Sequence, residues 1–93
     1  MTLLPAQSRA ARGLLEWSQA ELGQASNLSE STVRDFEKGR RSPSLNNLAA
    51  IRRALESAGV EFIAENGGGA GVRLAKAKAP PISIEDLNAS NDE

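Results

Sequence analysis

Trp17-Ser18-Gln19-Ala20-Glu21-Leu22, then Leu28-Ser29-Glu30-Ser31-Thr32-Val33, then Phe36-Glu37-Lys38-Gly39 is the stretch whose reading decides the fold of this chain. Ser18 is suited to cap a helix, and Glu21 three residues on completes a capping box in which each side chain serves the other's backbone N–H. A short helix over Gln19 to Ala25 follows, burying Ala20 or Leu22. Asn27 and Leu28 read as a turn. Ser29 then caps a further helix whose inward positions are Val33 and Phe36. It stops at Gly39, the left-handed position expected after Lys38 in a last turn.

Working outward, apolar spacing predicts a helix from about Pro5 to Glu16, with Pro5 in the first turn and Ala6, Ala10 and Leu14 on one stripe. After Gly39 the run Arg40-Arg41-Ser42-Pro43 reads as a basic loop, because Pro43 disfavours helix at Ser42. Ser44 caps a fourth helix with Leu45, Leu48, Ile51 and Leu55 as its apolar stripe and Gly59 at its end. Val60 to Ile63 and Val72 to Ala75 are short strand-like runs, and Asn66 to Gly71 between them reads as a hairpin turn. The glycines there do not read as a phosphate cradle, since no helix pattern starts directly after them. Ala79-Pro80-Pro81 is a stiff linker. The acidic end through Asp86, Asp92 and Glu93 reads as mobile, with one amphipathic turn over Ser83 to Leu87. These boundaries give residues 1–59 as a helical domain, 60–76 as a hairpin extension and 77–93 as a tail.

Composition narrows the chemistry. Ninety-three residues support one small core. There is no His and no Cys, so zinc sites, disulfides and Ser-His or Cys-based catalysis are excluded. No carboxylate is placed with a nucleophile, a base or a metal partner, so neither an enzyme nor a cofactor is expected. No window is apolar enough to span a membrane, and without a targeting signal the expected location is the cytoplasm. Eleven basic against twelve acidic residues give a net charge of -1, where a nucleic-acid-binding domain is ordinarily basic. The imbalance is uneven: residues 1–64 carry eight basic and seven acidic groups, residues 65–93 three and five.

Four short helices with a tight turn between the second and third form the arrangement of a helix-turn-helix. Together with Arg9-Ala10-Ala11-Arg12, Pro43, Leu48 and Ile51, the opening stretch resembles the Cro and lambda-repressor-like, or XRE-type, regulators in register over residues 5–58. The hairpin is similar to that of a subgroup of small XRE-type proteins. The fold class expected is thus all-α, a lambda-repressor-like domain of four to five short helices with a small C-terminal β-hairpin. The resemblance implies that the helix from Ser29 to Lys38 reads double-stranded DNA. Turning Val33 and Phe36 inward at about 100° per residue sends Ser31, Arg34, Asp35 and Lys38 outward, with Glu30 and Glu37 on the flank. With the positions that the resemblance implies, the candidate DNA-binding residues are Gln19, Ser29, Glu30, Ser31, Thr32, Arg34, Asp35, Lys38, Arg40, Arg41, Ser44 and Asn47. Arg12 and Glu37 match a structural ion pair of the family, and Trp17 reads as core packing that positions Gln19.

Glu30 and Asp35 depart from the family pattern, standing where many members carry Gln, Arg or Asn. Two readings stay open. In one, Glu30 or Asp35 accepts a hydrogen bond from a cytosine amino group while Arg34, Lys38, Arg40 and Arg41 neutralise phosphates, making a sequence-specific regulator, most simply a repressor. In the other, the domain is a protein-binding module, antiactivator or antitoxin-like, that sequesters another regulator through this face, the hairpin or the tail. A homodimer is expected because an exposed strand edge pairs readily and two copies double the contacts on DNA.

Overall fold

The computed structural model describes residues 3–75. Four helices precede a hairpin: α1 (Pro5–Leu15), α2 (Gln19–Ser26), α3 (Glu30–Glu37), α4 (Leu45–Ser57), β1 (Val60–Ile63) and β2 (Gly71–Leu74). The linker at Ala79-Pro80-Pro81, the turn over Ser83 to Leu87 and the acidic end lie outside the described residues.

Three of the four helices start on a serine. Ser18 Oγ accepts from Glu21 N at 3.0 Å while Glu21 Oε1 accepts from Ser18 N at 2.7 Å, the reciprocal box that the sequence predicts. Ser29 Oγ accepts from Thr32 N at 3.1 Å and Ser44 Oγ from Asn47 N at 3.2 Å. α1 begins on Pro5, whose missing N–H removes one donor that a helix start leaves unsatisfied. Gln7 Oε1 takes the N–H of Leu4 at 3.0 Å. Gly39 sits at φ 74°, the left-handed conformation expected of it after α3.

α2 packs against α3 and α4, and α1 against α3 and the hairpin. Their shared core is Leu3, Ala11, Leu22, Val33, Phe36, Ile51, Leu55 and Val60, flanked by half-buried Leu15, Trp17, Leu28, Leu48, Phe62 and Val72. The turn from α2 into α3 is tight at Gly23. A Cβ there would lie 2.8 Å from the carbonyl oxygen of Leu28 and 3.3 Å from the nitrogen of Glu30. Only a residue without a side chain lets the Leu28 N–H reach Gly23 O at 2.8 Å with α3 so close.

Two expected stripes are corrected. Ala6, Ala10 and Leu14 face outward, and the buried face of α1 is Gln7, Ser8 and Ala11 with Leu15 beside them. The reason is that Gln7 and Ser8 find hydrogen-bond partners inside, so burial there does not follow polarity. Leu45 is 83% exposed. As the first residue of α4 it projects beyond the packed part of the helix, whose core contacts are Leu48, Ile51 and Leu55. Of Ala20 and Leu22, Leu22 is the buried one.

β1 and β2 pair antiparallel, Val60 with Leu74, Glu61 with Arg73, Phe62 with Val72 and Ile63 with Gly71. The second strand thus starts one residue earlier than expected, at Gly71. Val60 is buried in the helical core, Arg52 stacks over the ring of Phe62 at 5.3 Å, and Gln7 Nε2 donates to Gly71 O at 3.1 Å. These contacts fix the hairpin to the helices. Among the described residues no helix is long and apolar enough to cross a membrane.

Candidate nucleic-acid interface

α3 is held from one side and open on the other. Val33, Phe36 and Glu37 are its buried residues, which leaves Ser31, Asp35 and Lys38 in line on the opposite face at spacings of four and three. Ser31 and Lys38 are exposed and Asp35 is half-buried. Arg34 and Glu30 lie on the flank, Arg34 Nη2 standing 3.5 Å from Glu30 Oε2. The hydroxyl of Ser29, besides its capping role, lies 2.7 Å from Thr32 Oγ1 and 3.1 Å from Ser31 Oγ.

α3 is tied to the other helices through Glu37, which is charged and fully buried. Ser8 Oγ donates to its Oε2 at 2.6 Å. Arg12 donates from Nη2 to Oε1 at 2.7 Å and from Nε to both oxygens at 2.9 and 3.1 Å. Gln19 Nε2 donates to Oε1 at 3.1 Å. Burial pushes the Glu37 carboxyl up, but the hydrogen bonds from Arg12, Ser8 and Gln19, with the charge of Arg12, outweigh it and hold the group below its ordinary value. One carboxylate thereby joins α1, the first residue of α2 and the last of α3. Arg12 also donates from Nη1 to Trp17 O at 3.0 Å, and Trp17 packs against the core. The guanidinium of Arg9 donates to the main-chain oxygen of Glu37, a cation at the negative end of α3.

The ion pair of Arg12 with Glu37 is where the sequence places it. Ser8 and Arg9 were missed. The signal was present, since Ser8 and Arg12 are four apart and flank the inward Ala11 on one helical face. Gln19 stands at the head of α2 with its amide nitrogen committed to Glu37 and its amide oxygen without a partner among the described residues. Arg40 and Arg41 are exposed in the loop after Gly39. Neither they nor Lys38 form an ion pair among the described residues. Ser44 caps α4, and Asn47 is half-buried one turn further along it. The candidate residues therefore divide into an outward face on α3, a basic loop after it, and the starts of α2 and α4 beside them.

A family model described as helix-turn-helix, of the XRE or lambda-repressor-like type, matches residues 9–62, more than half of the chain. This chain belongs to that family. In helix-turn-helix terms, α2 and α3 are the paired helices and Gly23 is the point of close approach between them. Among solved structures, the DNA-binding domain of the P22 C2 repressor, determined in solution, is similar to it. The two are 32% identical with a TM-score of 0.54, over 60% of this chain and 75% of that one. No curated protein sequence matches the chain.

Proposed function

We propose that this helix-turn-helix domain is a DNA-binding transcription regulator, a repressor that binds its operator as a homodimer with α3 in the major groove. The observation that carries the reading is the division of charge around α3. Arg34, Lys38, Arg40 and Arg41 fall within eight residues, and the last three form no ion pair among the described residues, beside an outward face that otherwise presents Ser31 and Asp35. Cations with no internal partner are what phosphate neutralisation requires. The likeness to a repressor's DNA-binding domain supports the same reading. Ser29, Glu30, Ser31, Thr32, Arg34, Asp35 and Lys38 would meet the groove. Arg40, Arg41, Ser44 and Asn47 would hold one strand, and Gln19 would offer its free amide oxygen to the DNA. The two-stranded sheet leaves both outer edges without a strand partner among the described residues, and Leu74 is exposed on it. Those edges support pairing of two copies.

Selection of sites from a random duplex pool, followed by titration of the enriched sequence at about 50 and 200 mM salt, tests the reading. An enriched palindrome bound far more tightly than scrambled DNA is the expected result. Failure to enrich any sequence would overturn it, and the outward face of α3 would then be examined against protein partners.

A further inference from the structure

We infer that Asp35 selects a cytosine within the operator, and that Glu30 is a positioning residue that aims Arg34. The inference rests on the DNA-binding reading above and divides the labour inside it.

The two carboxylates on the accessible side of α3 differ in what they touch. Glu30 is one turn before Arg34 and within 3.5 Å of it, the order of acid and base that favours an i,i+4 pair on a helix. Its charge is already matched. Asp35 has neither a hydrogen bond nor an ion pair to its carboxylate among the described residues, though Lys38 follows it by three positions. Outside the bonds within α3, its main-chain oxygen accepts from the N–H of Arg40 at 2.9 Å. Asp35 also occupies the centre of the outward line from Ser31 to Lys38, whereas Glu30 and Arg34 lie to the side.

A helix lying in the major groove turns its central line to the base edges, and a side chain as long as that of Arg reaches those edges from the flank. A carboxylate in that central line can only accept. Guanine presents two acceptors there and thymine one with a methyl group, so both repel it or offer it nothing. Adenine pairs its amino donor with an adjacent acceptor, N7, which faces the second carboxylate oxygen. Cytosine presents the amino donor alone and is the base edge that an unpaired carboxylate fits best. Arg34, steadied from behind by Glu30, has the fork that fits the O6 and N7 acceptors of guanine. The recognised chemistry is thus a G·C-containing step in each half-site.

The charge of Asp35 gives this assignment a signature that a structural role lacks. Removing it takes a negative group away from the DNA, so affinity for random duplex should rise by a few fold, while discrimination at one base pair disappears. The measurement uses the full chain, its selected site and the single-base-pair variants of that site, with wild type, Asp35→Ala, Asp35→Asn and Glu30→Gln compared. Wild type should prefer cytosine at one position by roughly tenfold, the range of a good base contact. Asp35→Ala should level that position and no other, and Asp35→Asn should move the preference to adenine, whose donor and acceptor match an amide. Glu30→Gln should leave the cytosine preference intact and weaken discrimination at the guanine. A cytosine preference that survives Asp35→Ala, or that is lost in Glu30→Gln, would overturn the assignment while leaving DNA binding in place. A wild-type chain that enriches no site at all would instead overturn the DNA-binding reading itself. Because the Asp35 side chain bonds nothing among the described residues, unmoved melting curves will show that a levelled preference is not partial unfolding.

Discussion

The two ends of charge on α3 are used in opposite ways. At its foot, the carboxylate of Glu37 is inaccessible to solvent and collects five hydrogen bonds, from Ser8, Arg12 and Gln19. On its outer face and in the following loop, Asp35, Lys38, Arg40 and Arg41 carry charge with no ion-pair partner among the described residues. A buried charge must be satisfied internally because the interior offers no water, whereas an exposed one costs little to leave open and so remains available to a ligand. The same residue types thus specify architecture on one side of a helix and leave an open charged face on the other.

That contrast is most directly broken by Arg12→Ala, which leaves Glu37 charged, buried and without its guanidinium. The expected loss is about 3 kcal/mol, the usual cost of removing one partner from a buried pair, read as a lower urea midpoint. Little loss would mean that Glu37 is not the anchor of α3. Next in size is Gly23→Ala. Alanine ordinarily favours a helix over glycine by about 1 kcal/mol, but here the new Cβ must push the Leu28 carbonyl from 2.8 Å, so a net loss of about 2 kcal/mol is expected. A stabilised variant would show that the two paired helices can part without cost.

Acid sharpens the comparison further. Glu37 has its carboxyl held below the ordinary range in the folded state, so the unfolded chain binds the proton more readily. Its contribution is complete above the ordinary carboxylate range and is lost as pH falls through that range to the lowered folded value. Stability should therefore fall on acidification, and the fall should be shallower in Glu37→Gln, whose starting stability is lower. An identical acid limb in the two proteins would remove Glu37 as its source. The smallest effect on stability, within about 0.5 kcal/mol, is expected for Lys38→Ala and Arg41→Ala, since each removes only exposed charge. Their DNA affinity should nevertheless weaken across all sequences, with the salt slope reduced by about one for each. A salt slope unchanged in both would separate these cations from the phosphates.

The reading of the sequence succeeded where structure is set locally. Ser18 with Glu21, Ser29 and Ser44 are capping residues whose hydrogen bonds close within three positions, and Gly39 terminates its own helix, so adjacent residues carry all the information needed. Ser31, Asp35 and Lys38 on the outward face of α3 followed from 3.6-residue periodicity once Val33 and Phe36 were turned inward. Arg34, expected outward, lies on the flank, and Glu37, expected on the flank, is buried because its partners on α1 and α2 draw that side of the helix inward. What periodicity could not reveal was decided across long separations. Gln7 and Ser8 look like surface residues until Gly71 and Glu37 are brought to them, and that misplaced the whole buried stripe of α1. The purpose of Gly23 emerges only when Leu28 and Glu30 are folded back against it. Leu45 fits the apolar spacing of α4, but spacing does not say where the neighbouring elements end.

Gln7 also sets an order in time. Its side chain receives the N–H of Leu4 and donates to the carbonyl of Gly71, a residue 64 positions later. During synthesis, the first turn of α1 stays without that tie until the second hairpin strand has been made. A nascent chain stopped within the glycine turn would carry all four helices with an unfinished beginning, and amide exchange near Leu4 and Ser8 would report the moment at which the last strand closes over the first turn.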